Sequence, residues 1–351
     1  GTFPLDAVNA LKPATITDED QLIDALTTLQ RYQFVRYDPI TERYRLEPLV
    51  VETLGMPQDD RLFGKYALYY TTCASRIFRD LPPEQWHLHE ADMPNIAYLA
   101  EQLMANIQQD RVDDYQRMRW FAKATIRYVA RRAEARAGAW VQTGLKSVQV
   151  LKQRGRESRQ IRELTKDEAI FYNNLGFIHS ISGDHQQALD CYQQALALNI
   201  ETNSIGGEAL ALTNIGYVWG LMDDYHKALD YYEQALKLRK QDDDVQGEAA
   251  TLTNIGTAWL MLDEYAKALG YYQQALPLRR QINDKWGEAT ALTNIGKTFA
   301  KLGDLSQALD YLLQAVPLRQ LVGDRRGEGV TWHNIAKVHE QMGNMDKALE
   351  A

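Results

Sequence analysis

Leu212-Thr213-Asn214-Ile215-Gly216 returns as Leu252-Thr253-Asn254-Ile255-Gly256 and again as Leu292-Thr293-Asn294-Ile295-Gly296, 40 residues apart each time. Looser copies, Asn173-Asn174-Leu175-Gly176 and His333-Asn334-Ile335-Ala336, carry the same beat outward on both sides. A fixed period in the range of roughly 20–50 residues predicts a solenoid, in which each unit buries its apolar face only against its neighbours. That period sets the fold class before any propensity argument is needed.

Aligned on the recurring Asn, the units show which positions serve packing. The residue two after it is small (Gly176, Gly216, Gly256, Gly296, Ala336), and twelve residues later comes Ala188, Ala228, Ala268, Ala308 and Ala348. An aromatic or Leu follows (Tyr192, Tyr232, Tyr272, Leu312), then Ala195, Ala235, Ala275 and Ala315, a spacing that marks one helical face. Between the two stretches lie polar breaks such as Ser182-Gly183-Asp184, Asp223-Asp224, Asp263-Glu264 and Gly303-Asp304, which read as turns. Each unit is therefore expected to be a helical hairpin. A second recurrent pair, Gly207-Glu208, Gly247-Glu248, Gly287-Glu288 and Gly327-Glu328, falls between units. Its glycine is expected to permit the turn, and its Glu to sit in the next helix's first turn, where the helix dipole favours negative charge.

The pattern Leu212, Ile215-Gly216, Trp219, Ala228, Tyr232, Ala235 resembles the tetratricopeptide repeat, in the 40-residue form of kinesin light chains and Pins-type adaptors. The resemblance implies an all-α, right-handed superhelix over residues 167–351, four full units and a fifth that stops in its second helix. It also implies that the first helix of each pair lines a concave groove that recognises a protein or peptide. Groove positions then fall on Asn173, Asn174, Phe177 and Ile181; Thr213, Asn214, Tyr217 and Leu221; Thr253, Asn254, Thr257 and Met261; Thr293, Asn294, Lys297 and Lys301; and His333, Asn334 and Lys337. An Asn amide can bond a peptide unit at both its carbonyl and its N–H. The apolar start and basic end of this series suit a ligand with a hydrophobic portion and an acidic portion. The same amides are equally able to bond between adjacent hairpins and only set the superhelix, so recognition and packing stand as two readings of one ladder. Trp219 and Trp259 occupy the repeat's aromatic position and are expected in the core.

Composition excludes several classes. The chain of 351 residues carries a net charge of −8 and is 45% hydrophobic and 25% charged, ordinary for a soluble intracellular protein. No apolar run approaches the roughly 18 residues of a membrane span, and Gly1-Thr-Phe-Pro-Leu-Asp lacks the regions of a signal peptide. Two distant cysteines, Cys73 and Cys191, argue for a reducing compartment, so the expected location is cytoplasmic. Residues 111–166 hold 15 Lys and Arg against 5 Asp and Glu. Such a block serves either nucleic-acid binding or docking of helices on acidic neighbours. Without aromatic interleaving or a binding module, nucleic acid is not the expected partner.

Residues 1–166 differ from the repeats. Thr17 caps an acidic helix Asp18–Arg31, and Phe34-Val-Arg-Tyr and Arg43-Tyr-Arg-Leu flank a turn at Asp38-Pro39-Ile40-Thr41-Glu42, the layout of half a winged helix over residues 1–56. The helix is too acidic to approach phosphates. Leu22–Leu29, Phe34–Asp38 and Tyr44–Val50 resemble the winged-helix segment that follows the nucleotide-binding module of signal-transducing NTPases with numerous domains. Glu47 stands where those proteins usually carry a histidine that touches nucleotide. Residues 57–166 are expected to be a helical linker, with Lys65-Tyr-Ala-Leu-Tyr-Tyr on one helix and further helices over 95–108, 112–130, 132–152 and 157–165, irregular near Gly155. No Gly-x-x-x-x-Gly-Lys-Ser/Thr loop occurs, so the chain has no phosphate cradle of its own. The resemblance places such a module upstream, with this chain as a carboxy-terminal piece.

No catalytic or metal constellation emerges. His87, His89, Glu90 and Asp92 supply too few converging ligands for zinc. The loop aspartates Asp242, Asp243, Asp244, Asp284 and Asp324 lack a calcium loop's alternation and read as helix caps. No cofactor is expected. The leading expectation is a non-catalytic sensor that binds ligand and regulates an upstream nucleotide-binding module; the alternative is a free-standing scaffold.

Overall fold

A computed structural model describes residues 2–4, 35–38, 43–46, 112–132, 135–155 and 157–344, with 100, 101, 103–105, 107, 346 and 348. The chain divides into two compact units, 1–178 and 179–351.

In the first unit, strands β1 (Thr2–Pro4), β2 (Val35–Asp38) and β3 (Arg43–Leu46) form an antiparallel sheet in the order β1-β3-β2, with Tyr37 and Phe3 both opposite Tyr44. The two strands expected to flank the turn are therefore paired, while the turn itself, 39–42, lies outside the described residues. The acidic helix over 18–31, the Lys65 helix, most of 95–108 and the His87 cluster lie outside the described residues, and the winged-helix reading as a whole lies there with them.

Three helices follow: α1 (Val112–Arg132), α2 (Ala135–Arg154) and α3 (Ser158–Ile181). Phe121 meets Trp140 edge-on at 5.5 Å between ring centroids, and Met118, Ala122, Val141, Val148 and Leu151 complete a dry seam. Gly144 is required there, since a Cβ would lie 2.5 Å from the Ala122 Cβ and 3.1 Å from the Phe171 ring. The basic block is partly neutralised within this seam. Asp167, 3% exposed, accepts from Arg119 Nε at 2.7 Å and Lys123 Nζ at 2.6 Å, and Glu168 accepts from Lys152 at 2.6 Å. The expected helix break lies between α2 and α3 as read from Gly155, but the expected short helix 157–165 does not end there. It continues to Ile181, because the only glycine or proline between 158 and 181 is Gly176, which sits inside the helix.

The second unit beats at 20 residues: α4 (His185–Glu201), α5 (Ile205–Leu221), α6 (Tyr225–Gln241), α7 (Val245–Met261), α8 (Tyr265–Gln281), α9 (Lys285–Leu302), α10 (Leu305–Leu321) and α11 (Arg325–Gln341), each starting 20 residues after the last. A three-residue link joins each pair, counting Leu302, the last residue of α9, in the link to α10. Its middle residue has positive φ and is Gly, Asn or Asp (Gly183 +84°, Asn203 +52°, Asp223 +59°, Asp243 +51°, Asp263 +58°, Asn283 +54°, Gly303 +85°, Gly323 +67°), the types that tolerate the left-handed region. The third residue donates its N–H back five positions, as in Asp244 to Arg239 O at 3.0 Å, and takes the N-cap position of the next helix. One short link thus stops one helix and starts another.

Within a hairpin the paired helices pack through the small position. A Cβ on Gly216, Gly256 or Gly296 would come within 2.7–2.8 Å of Tyr232, Tyr272 or Leu312. These side chains anchor successive cores, Tyr232 with Ala228, Leu229, Ile255 and Ala258, and Tyr272 with Ala268, Leu276, Leu292 and Ile295. Each fully buried aromatic contributes about 1.5–3 kcal/mol. Trp219 and Trp259 are only half-buried, spanning the boundary between cores, with Lys227 and Lys267 Nζ lying 4.0 and 4.1 Å above their rings. Across hairpins the first helices also meet one another: α5 approaches α7, α7 approaches α9, and α9 approaches α11.

The interhairpin glycines serve packing rather than turning. Gly247, Gly287 and Gly327 lie inside the first turns of α7, α9 and α11, with no positive φ. A Cβ there would strike the caps Asp244, Asp284 and Asp324 and the side chains of Arg239, Arg279 and Arg319. Each cap takes the glycine N–H on one oxygen (2.8–2.9 Å) and the arginine on the other (2.5–2.6 Å), tying a second helix to the first helix of the following hairpin. The earlier link departs from this, with Asn199 and Ser204 at the two positions and Asn199 bonded to Ala195 O at 2.8 Å.

Candidate functional site

The first helices present the recurring Asn at half-buried positions, neither sealed in the core nor fully solvated. The neighbouring threonines are spent on their own helices: Thr213, Thr253 and Thr293 each donate to the carbonyl four residues back at 2.8 Å. That leaves Asn254, Asn294 and Asn334 among the polar groups of this face, beside exposed Tyr217, Lys297, Lys301, His333 and Lys337.

Two depressions collect the expected residues. One, of about 270 Å³ between α5 and α7, is lined by Tyr217, Leu221, Asn254, Thr257 and Met261, with Tyr225, Ala228, Tyr232 and Ala258 below. The other, of about 340 Å³ between α9 and α11, is lined by Lys297, Lys301, Asn334 and Lys337 together with Leu312, Val338 and Glu340. Asn294 and His333 line neither of these two, and Asn214 has contacts of its own. Asn174 and Phe177 belong to the first unit, where Asn174 donates to Ile170 O of its own helix at 2.7 Å.

The two depressions differ in chemistry. The first is apolar and aromatic and contains no cation among its lining residues. Burial pushes the Tyr232 hydroxyl far above its ordinary range, so it stays a protonated donor. Burial likewise lifts Tyr272, to about 12, although its hydroxyl sits 3.1 Å from Thr257 Oγ1. The second depression brings three lysines against a single acid, Glu340. Nothing in either arrangement offers a nucleophile with its base. Among the described residues no group of three His, Cys, Asp or Glu side chains could hold a metal, and no helix is long and apolar enough to cross a membrane.

Tyr225 and Tyr232 were not expected in the site. Tyr232 sits at the core position of the second helix, where sequence reads packing, and its place in the lining appears only once the neighbouring hairpin is in place.

A family model described as tetratricopeptide repeat matches residues 167–241, 207–281, 247–320 and 287–351, more than half of the chain in all. No curated protein matches. Among solved structures, a signal-transduction ATPase with numerous domains bearing a tetratricopeptide repeat sensor, from Pyrococcus horikoshii, is 14% identical with a TM-score of 0.53, covering 100% of this chain and 60% of that one. Aspartyl phosphate phosphatase F from Bacillus subtilis is 13% identical with a TM-score of 0.54, covering 82% and 91%. BtubC from P. vanneervenii is 18% identical with a TM-score of 0.53, covering 61% and 85%. At these identities the likeness is one of fold.

Proposed function

The chain belongs to the tetratricopeptide repeat family, and from that premise we propose that the first-helix face of its array binds an extended protein segment, apolar at one end and acidic at the other. The approach of first helix to first helix across hairpins supports reading this as the inner side of the curve, where a bound chain would meet several units at once. The observation that carries the reading is the pair of depressions, one aromatic and free of cations, one with three lysines. They lie two hairpins apart, about 20 Å at an interaxial spacing of about 10 Å, or about six extended residues.

In this reading the array is the sensor of a signalling NTPase, and ligand binding biases an upstream nucleotide-binding module between two states by its differential affinity for them. The sequence of segments 22–29, 34–38 and 44–50 supports that context, as does a fold likeness running the whole length of this chain.

Selection of random peptides against the full chain tests the binding half. The expected pool is enriched in an aromatic followed after about six residues by Asp or Glu, and its members lose affinity for a Lys297→Glu/Lys301→Glu variant. Peptides whose binding is indifferent to that charge reversal would overturn the basic end of the groove.

A further inference from the structure

The aromatic of the second helix recurs as Tyr192, Tyr232 and Tyr272, and its hydroxyl is treated differently each time. Tyr192 is hydrogen-bonded to Ser180 and Tyr272 to Thr257. Tyr232 is only 4% exposed, yet its hydroxyl has no hydrogen-bond partner among the described residues. The sequence explains the gap. One repeat over, the places of Ser180 and Thr257 are taken by Gly220 and Tyr217, and neither bonds the hydroxyl. Both of those residues, and Tyr232 itself, line the depression between α5 and α7.

We propose that this depression receives a tyrosine side chain of the bound segment, its hydroxyl accepting from Tyr232 and donating to the Asn254 amide oxygen. The inference rests on the reading that the first-helix face binds a protein segment, and adds what one position of that segment must be. Once a ligand covers the depression, the Tyr232 donor selects an acceptor, because leaving it unmade is then the costly outcome. Phenylalanine offers nothing to Tyr232. A tryptophan N–H donates only and leaves the Tyr232 proton without a partner. The rings of Tyr217 and Tyr225 and the side chains of Leu221 and Met261 suit a flat aromatic body. A phosphorylated tyrosine is refused, since no Lys, Arg or His lines the depression and Asp223, bonded to Tyr225 at 2.8 Å, adds negative charge beside it. Phosphorylation of the ligand would therefore release it.

The test titrates the full chain with N-acetyl-tyrosinamide, N-acetyl-phenylalaninamide and N-acetyl-phosphotyrosinamide, read by ligand-observed NMR. Tyrosinamide is expected to bind about tenfold more tightly than phenylalaninamide, and phosphotyrosinamide not at all. Tyr232→Phe is expected to erase the preference by weakening tyrosinamide binding about tenfold, with the thermal midpoint unchanged. Equal affinities, binding of the phosphorylated form, a preference that survives Tyr232→Phe, or no binding of any probe would each overturn the assignment. Selected peptides that lack tyrosine but still depend on Lys301 would do the same, while leaving the wider reading of the face intact.

Discussion

Gly256 and Gly270 lie in neighbouring helices and behave oppositely. A Cβ on Gly256 would sit 2.7 Å from the Tyr272 ring, whereas one on Gly270 meets nothing within 4 Å. Gly256→Ala is therefore expected to destabilise the array by about 1–3 kcal/mol through overpacking, and Gly270→Ala to stabilise it by about 0.5–1 kcal/mol by removing backbone freedom in a helix interior. Urea midpoints shifted in the same direction would contradict this. The close approach at Gly256 was legible because the small residue recurs at fixed distance from the Asn. The role of Gly247, Gly287 and Gly327 was not. Their recurrence beside polar residues imitates a turn, but the turn residue (Asp243, Asn283 or Gly323) lies four residues earlier, and what they leave room for is an arginine from another helix. Sequence records a missing side chain without recording what occupies the space.

At the scale of the helix, the links were legible wherever Gly, Asn or Asp supplies the left-handed residue, and α3 was misjudged where no such residue marks an end. The Arg–Asp ties across the links are not legible in sequence because a spacing of five residues brings no contact within one helix; only the reversal at the link brings the pair together. These ties have a pH signature. Burial raises the Asp324 carboxyl, but the N–H of Gly327 and the Arg319 guanidinium outweigh it and hold the group below its ordinary 3.8. Glu288 is likewise lifted by burial and brought below its ordinary 4.5 by Arg280 and Lys285. Groups whose folded pKa is depressed stabilise the fold above their free values, and that contribution drains as pH falls through the folded ones. Asp324→Asn is thus expected to lower the thermal midpoint at neutral pH, with the difference from the parent chain closing below about pH 3.8. A gap that stays constant to pH 2 would show that the cap's hydrogen bond, rather than its charge, matters there.

At the scale of the molecule, a repeat fold makes the candidate binding face a by-product of its packing. Each hairpin commits its second helix and one side of its first to the core, and what remains is the row bearing Asn254, Tyr217 and the lysines. The period sufficed to read that row in sequence, with Tyr217, Asn254 and Thr257 gathered in one depression and Lys297, Lys301, Asn334 and Lys337 in the other. The place of Tyr232 in that lining could not be read there, because its position in the repeat is that of a core residue and the depression forms only against α7. The central claim is that the amides of this row recognise a ligand rather than brace the stack. Its most direct test pairs Asn254→Ala, on the first-helix face, with Gln274→Ala, on the exposed side of α8, and measures both thermal midpoint and affinity for peptides selected on the full chain. Asn254→Ala is predicted to weaken binding about tenfold with its midpoint unmoved, and Gln274→Ala to change neither. A lowered midpoint with affinity preserved in Asn254→Ala would show the amides to be a packing device and contradict the account.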